Sequence, residues 1–320
     1  MGGGFNLLMA MALVHLGAKV TIVHADELSQ STFWRVAAGL LEPVVTSDPA
    51  VNDRFARTLQ FARLNVHRDE FGLVARRVDF YSVTAEGADL PFANAVGGIT
   101  PFDTRRSDLP FGASFPTYVW EGRIMLPHVL ATLHDHGTTF VRHTFRDLTD
   151  VLASPHASEA DHIVIGPGMT LNDFFPPAAL WAGVGVVGII PGTPAPTAPV
   201  IMTDNLTYWI PQVTQTVVGG VNFEVEVDEW EHRSVELQHD LWDDIVDKLR
   251  DFDPAFDPNT VTRRLMGARP MADKTVVHTL RHNGGLITIV GGMCGSGWTT
   301  SIGLIEEILK NYSIEATFDW

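Results

Sequence analysis

The residues near the start of the chain already define a chemistry. Gly2 and Gly4, in Met1-Gly2-Gly3-Gly4-Phe5-Asn6-Leu7, are spaced for a tight turn. Backbone at such a turn can approach a pyrophosphate at the N-terminus of the following helix. Asp26 stands 22 positions beyond Gly4, near the roughly 20 at which an acid accepts hydrogen bonds from a ribose. Toward the other end, Arg269 offers a planar fork of donors that can grip a carboxylate at two points. Tyr208 can add a hydroxyl hydrogen bond to the same group. A glycine-rich run, Gly291-Gly292-Met293-Cys294-Gly295-Ser296-Gly297-Trp298-Thr299, stands at the start of a helical pattern. Its amides and the Thr299 hydroxyl could stabilise negative charge.

These residues need elements to hold them. After Gly4 a helical run reaches Leu16, Gly17 stops it, and a strand over Lys19–His24 leads to Asp26. This is the second half of a βαβ unit. The third glycine of the turn pattern is Leu7, and no strand precedes Gly2. A sheet of this kind needs that strand at its centre, so a trimmed or mis-set start is expected. Further helices are predicted over Asn52–Arg68, Leu126–His136, Asp228–Phe252 and Thr299–Asn311; in the third, Leu237, Leu241, Ile245 and Leu249 recur every four residues. Strand-like runs lie at Thr139–His143, His162–Ile165, Tyr208–Pro211, Thr216–Val221 and Leu286–Val290. Helix and strand alternate at both ends and around 125–168, whereas 45–124 and 180–265 carry hairpin-like strands and many prolines. The expected class is α/β. A discontinuous Rossmann-like nucleotide domain comprises 1–45, 125–180 and 266–320. An inserted α+β substrate domain with an antiparallel sheet comprises 46–124 and 181–265.

Composition narrows the function. A net charge of −16 in 320 residues argues against nucleic acid and anionic membrane surfaces as partners. The single cysteine, Cys294, excludes an internal disulfide and Cys-based zinc sites, and suits a reducing cytoplasm. The apolar Phe5–Leu16 run lacks a basic segment before it, so it does not read as a signal peptide. The apolar stretch 182–202 is broken by prolines and glycines and does not read as a membrane span. A cytoplasmic protein is expected. His134 and His136, two apart before Gly137, face different directions and suit a helix C-terminus better than a metal; no metal is expected. Gly295-Ser296-Gly297 lacks the spacing of a hydrolase nucleophile elbow.

Four stretches in order resemble the D-amino-acid oxidase family of flavoenzymes, over nearly the whole chain. Val23-His24-Ala25-Asp26, followed by Val36-Ala37-Ala38-Gly39-Leu40-Leu41-Glu42-Pro43, is similar to the family's ribose-binding Ala-Asp pair and the turn beneath its flavin. Leu206-Thr207-Tyr208-Trp209-Ile210-Pro211 with Thr216–Gly220 resembles the strand pair that presents a substrate-binding tyrosine. Met266-Gly267-Ala268-Arg269-Pro270 resembles the element that carries a substrate-binding arginine, and the Gly291–Thr299 run resembles the family's loop against the flavin.

The resemblance implies an FAD-dependent oxidase of a carboxylate-bearing amine or amino acid, with O2 as acceptor. Removing hydride from an α-carbon needs an acceptor that no side chain supplies. Tyr208 and Arg269 are the implied substrate residues. Gly2, Gly4, Phe5, Asp26, Ala38, Gly39, Leu40, Phe145, Gly168, Gly292, Gly295, Gly297, Trp298 and Thr299 are the implied FAD residues. The partner is a small carboxylate substrate, and a homodimer is consistent with it. The chain departs from the family at Leu7, at Ile165-Gly166-Pro167-Gly168 before the second phosphate-side turn, at Met293 in place of a histidine, at Asp204 in place of a second tyrosine, and at Met271-Ala272 after the Arg-Pro pair. These departures keep an alternative open, a flavin-fold relative that binds or scaffolds without oxidising. A nicotinamide dehydrogenase is disfavoured, because nothing resembles a second nicotinamide site.

Overall fold

The computed structural model describes residues 4–25, 37–43, 50–86, 88, 90–204, 206–221, 223–227, 229–230 and 238–314. Five longer helices frame it: α1 (Gly4–His15), α2 (Val51–Asn65), α3 (Gly122–Asp135), α4 (Gln238–Phe252) and α5 (Gly297–Asn311). Helix α1 is apolar on every side and is correspondingly buried, with Leu7, Leu8, Met11 and Ala12 wholly enclosed. Helix α3 begins at Gly122 rather than at the expected Leu126. Pro127 reads as a first-turn residue, yet the helix takes it inside, with the Glu121 carbonyl accepting from the Ile124 and Met125 amides at 3.0 and 3.4 Å.

Two small sheets each hold a parallel pair of strands. Strand β1 (Thr21–His24) pairs in parallel with β5 (Thr139–Arg142). Strand β6 (His162–Ile165) pairs in parallel with β14 (Gly285–Gly291), which also pairs antiparallel with β13 (Val276–His282). No strand among the described residues joins β1 to β6. The Asn6 amide instead donates to the Gly166 carbonyl at 3.0 Å, drawing the start of α1 onto the end of β6. A Cβ at Gly166 would collide with that Asn6 side chain. The close helix–strand approach that Leu7 forgoes is therefore supplied by Gly166.

The large sheet has nine strands. Strands β3 (Thr100–Asp103), β4 (Phe111–Trp120), β2 (Leu73–Ser82), β8 (Val200–Thr203), β9 (Tyr208–Pro211), β10 (Gln215–Gly219) and β7 (Trp181–Pro191) are neighbours in that order. Strand β11 (Phe223–Glu226) shares one edge of β7 with β10, and β12 (Arg263–Met271) takes the other edge. Successive side chains of β7 alternate between faces. Ala182, Val184 and Val186 are buried with Val218 against Leu241, Trp242, Ile245 and Leu249 of α4. Leu241, Ile245 and Leu249 of the four-residue repeat thus pack one face of β7, and Leu237 lies outside the described residues. Its other face presents Trp181, Gly183, Gly185 and Val187, and this face carries the candidate site.

Candidate active site

Two glycines make the floor. The register sets Arg269 opposite Gly183 and Gly267 opposite Gly185, while Tyr208 on β9 aligns with Gly219 and so with Val187. Residues opposite one another share a face, so Arg269 and Tyr208 rise from the same side of the sheet. The Arg269 Nη2 donates to the Tyr208 Oη at 3.4 Å. A Cβ on Gly185 would lie 3.1 Å from the Arg269 Nη1 and collide with the Gly220 carbonyl. The glycine is what lets the guanidinium lie across β7. Among the described residues Arg269 makes no ion pair and no other hydrogen bond. Tyr208 is buried, and that burial pushes its hydroxyl pKa above the ordinary tyrosine value, with the Arg269 charge opposing part of the rise. The pair is a two-pronged set of donors held ready for an anion.

A second group of residues converges beside it. The Ala37–Leu41 turn lies along the end of β4: Trp120 N donates to Gly39 O at 2.8 Å and Leu41 N to Tyr118 O at 3.0 Å. Gly39 has φ +72°, and a Cβ there would strike the Trp120 carbonyl. Beyond the turn, the Thr299 hydroxyl donates to Glu42 O at 2.9 Å and lies 3.3 Å from Leu40 O, and it accepts from Glu42 N at 3.1 Å. The turn and the N-terminus of α5 are therefore one unit. Trp298 is buried in it, its ring centroid 4.7 Å from that of Trp120.

The glycine loop connects the two groups. Cys294 N donates to Pro270 O at 3.1 Å and its thiol to Ala272 O at 3.4 Å, so the loop leans on the residues directly after Arg269. Gly292 has φ +63°, and its Cβ would lie 2.7 Å from the Ala272 Cβ. Gly295 lies in this loop and Gly297 opens α5. Gly4 opens α1, with Phe5 buried beside it. Gly168, at φ +67°, starts a helical turn two residues beyond the Asn6–Gly166 contact. Phe145 packs on the cluster of Val151, Ile165 and Leu171, with its ring edge-on to His143. Gly2 and Asp26 lie outside the described residues. Asp204 accepts from the Ser82 hydroxyl and Val83 N, at 3.0 and 2.7 Å, which fixes a turn. His136 caps α3 through Thr132 O at 2.8 Å, and among the described residues no His, Cys, Asp and Glu cluster could hold a metal.

The arrangement fits a flavin on its own polar groups. Carbonyls of Ala38 and Gly39 are both engaged, by Gln212 and Trp120. The amides of Gly39 and Leu40, on the far sides of those same peptides, have no hydrogen-bond partner among the described residues. The Ser296 hydroxyl at the start of α5 is 1% exposed and also lacks a partner. Unpaired buried donors are costly, and two successive amides beside a helix N-terminus suit an electron-rich ring.

Comparison with known proteins agrees. The profile of the family described as FAD dependent oxidoreductase (DAO) matches residues 2–308, and the chain belongs to that family. It is an FAD-dependent oxidoreductase. Among solved structures it is similar to iminodiacetate oxidase from Chelativorans sp. BNC1, at 16% identity and a TM-score of 0.72 over 99% of this chain and 95% of that one. It is also similar to glycine oxidase from Geobacillus kaustophilus, at 14% identity and TM-score 0.69 over 99% and 94%. L-α-glycerophosphate oxidase from Mycoplasma pneumoniae, solved with FAD bound, aligns at 12% identity and TM-score 0.73 over 100% and 95%. No curated protein sequence matches. At these identities the likeness shows the fold, an α/β flavoenzyme fold with a Rossmann-like FAD-binding part. Among the described residues no helix is long and apolar enough to cross a membrane.

Gly185 lies under the Arg269 guanidinium and Gln212 touches the Ala38 carbonyl, and neither was singled out from the sequence. Gly185 had a signal. Alternating glycines in Ala182-Gly183-Val184-Gly185 keep one face of a strand bare, which marks close approach by a ligand or another group.

Proposed function

We propose that this protein oxidises the C–N bond of a carboxylate-bearing amine or amino acid by hydride transfer to FAD, with O2 as the electron acceptor. When bound, FAD supplies the hydride acceptor that side chains lack. The observation that carries the reading is the Arg269–Tyr208 pair at 3.4 Å over the Gly183–Gly185 floor, one residue from the peptide on which the glycine loop rests. Arg269 and Tyr208 bind the substrate carboxylate, the guanidinium from two of its nitrogens and the phenol through O–H. Holding the carboxylate fixes the α-carbon, and orientation of this kind lowers barriers by up to about 7–11 kcal/mol. The Gly39 and Leu40 amides and the start of α5, with Ser296 and Gly297, stabilise negative charge on the flavin side; the Thr299 hydroxyl, expected to do so, is instead spent on Glu42 O and ties the turn to α5. No general base is needed, since an amine bound neutral can lose hydride directly.

Residues 1–45, 125–180 and 266–320 form the FAD domain in this reading, and 46–124 with 181–265 the substrate domain. Gly4, Phe5, Gly168 and Gly292 serve the cofactor, with Gly2 and Asp26 completing the pyrophosphate and ribose contacts. The names of the iminodiacetate and glycine oxidases point to amine carboxylates. The same fold also serves a glycerophosphate oxidase, so the substrate class rests on Arg269 and Tyr208. Peroxide formation measured against D-amino acids, N-methyl amino acids and imines tests it. Turnover of at least one carboxylate-bearing member is expected, and a panel-wide failure alongside turnover of carboxylate-free amines sinks the reading.

The pair also sets a pH response. Burial holds the Tyr208 phenol protonated beyond the ordinary tyrosine range, so its prong persists to about pH 10. Inhibition by a simple aliphatic carboxylate, which has no amine to titrate, is expected to keep a flat Ki from about pH 7 to 10. A doubling by pH 10 would show that Tyr208 ionises at its ordinary value of about 10 or lower.

A further inference from the structure

The turn between β9 and β10 is held more firmly than a surface hairpin requires. Arg76, buried, donates to Pro211 O at 3.0 Å, Gln212 O at 3.0 Å and Pro196 O at 2.7 Å. Glu121, 1% exposed, accepts from Val213 N at 3.0 Å and Thr214 N at 2.8 Å, and from the Thr214 hydroxyl at 2.6 Å. A guanidinium and a carboxylate thus clamp the two halves of one short turn. Between them the Gln212 side chain, 2% exposed, donates from Nε2 to Ala38 O at 2.8 Å, and its Oε1 accepts from the Gln215 Nε2 at 2.6 Å. The Ala38 carbonyl can only accept, so it alone decides that the NH2 end of this amide faces it, and Gln215 takes the remaining oxygen.

A trans peptide points its N–H opposite to its C=O. Gln212 holds the Ala38 carbonyl, so the Gly39 N–H is directed away from the β9–β10 turn, and this is one of the two amides without a partner among the described residues. Gly39, at φ +72°, lacks the side chain that would otherwise restrict how its peptide rocks. Something outside the turn must then set the peptide plane, and Gln212 is the group that touches it. We propose that Gln212 is a positioning residue for the oxidation: acting through the Ala38–Gly39 peptide, it aims an amide donor at the flavin and so raises the preference of the site for reduced flavin. Arg76 and Glu121 serve to hold Gln212. This rests on the reading that the 37–41 turn faces FAD.

The test compares the FAD-loaded parent with Gln212→Met, which keeps the length and loses the donor, and with Gln215→Met, which removes a neighbour of Gln212 and leaves the Ala38 bond. The readouts are the flavin midpoint potential and the FAD dissociation constant, neither of which needs substrate. Gln212→Met is expected to weaken the preference for reduced over oxidised flavin about tenfold, a two-electron potential about 30 mV lower. Gln215→Met is expected to keep the parent potential. If Gln212→Met does not fold, Gln212→Asn, whose shorter amide stops short of Ala38 O, takes its place. A parent-like potential in the Gln212 variant, or the same fall in both variants, overturns the proposal. The underlying reading fails separately, if Gly39→Ala binds FAD as the parent does.

Discussion

Arg269→Ala is expected to raise the substrate KM strongly and cut kcat/KM by on the order of 10²–10³, while FAD content stays at the parent level. Truncating one partner of a desolvated, hydrogen-bonded charge pair costs about 2–5 kcal/mol. The substrate carboxylate would lose its counter-charge, and Tyr208 alone would face it from a buried site. The flavin should be unaffected, because the glycine loop is tied to the end of β12 and the residue after it through the backbone oxygens of Pro270 and Ala272 rather than through the Arg269 side chain. Arg269→Lys is a sharper version. It keeps the charge and loses the fork, so it should recover only part of the loss. Steady-state kinetics with an absorbance measurement of bound flavin decides the matter. Wild-type kinetics in Arg269→Ala would place the carboxylate site elsewhere.

Gly39→Ala should act on the other half of the site. The residue sits at φ +72°, where a side chain costs about 1–3 kcal/mol. The new Cβ would also meet the Trp120 carbonyl, and crowding of this sort costs a further 1–3 kcal/mol or so. The turn can relieve both only by moving off β4. That would break the Trp120–Gly39 and Leu41–Tyr118 hydrogen bonds and pull on the Thr299 contacts behind them. The expected result is a protein that loses FAD on gel filtration and unfolds at lower denaturant than the parent, with the deficit also present in the apoprotein. Retention of FAD would show that the turn does not face the cofactor, and retention of stability would mean that it has more freedom than its hydrogen bonds allow.

Much of this architecture could be read before any coordinates. Helix α4 announced itself through Leu241, Ile245 and Leu249, because a surface helix must turn one stripe toward a core. The Gly291–Thr299 run marked the start of α5, and Arg269 and Tyr208 stood out as donors suited to a carboxylate. The start of α3 was placed four residues late, at Leu126 rather than Gly122, helix ends being the least legible part of a periodic run.

Local order therefore carried the identity of the chemistry: glycines where backbone must approach a ligand, a fork of donors, and apolar repeats that say which faces are inside. Tertiary contact decided everything that depends on two distant stretches meeting. Gln212 and Ala38 are 174 residues apart, and Arg269 and Tyr208 are 61 apart. Strand register alone puts Arg269 over Gly183 and Gly185 on the bare face of β7. Spacing along a chain constrains a residue's neighbours only within a turn or a strand; beyond that, which groups touch is set by how sheets pair and pack, and no short pattern records it.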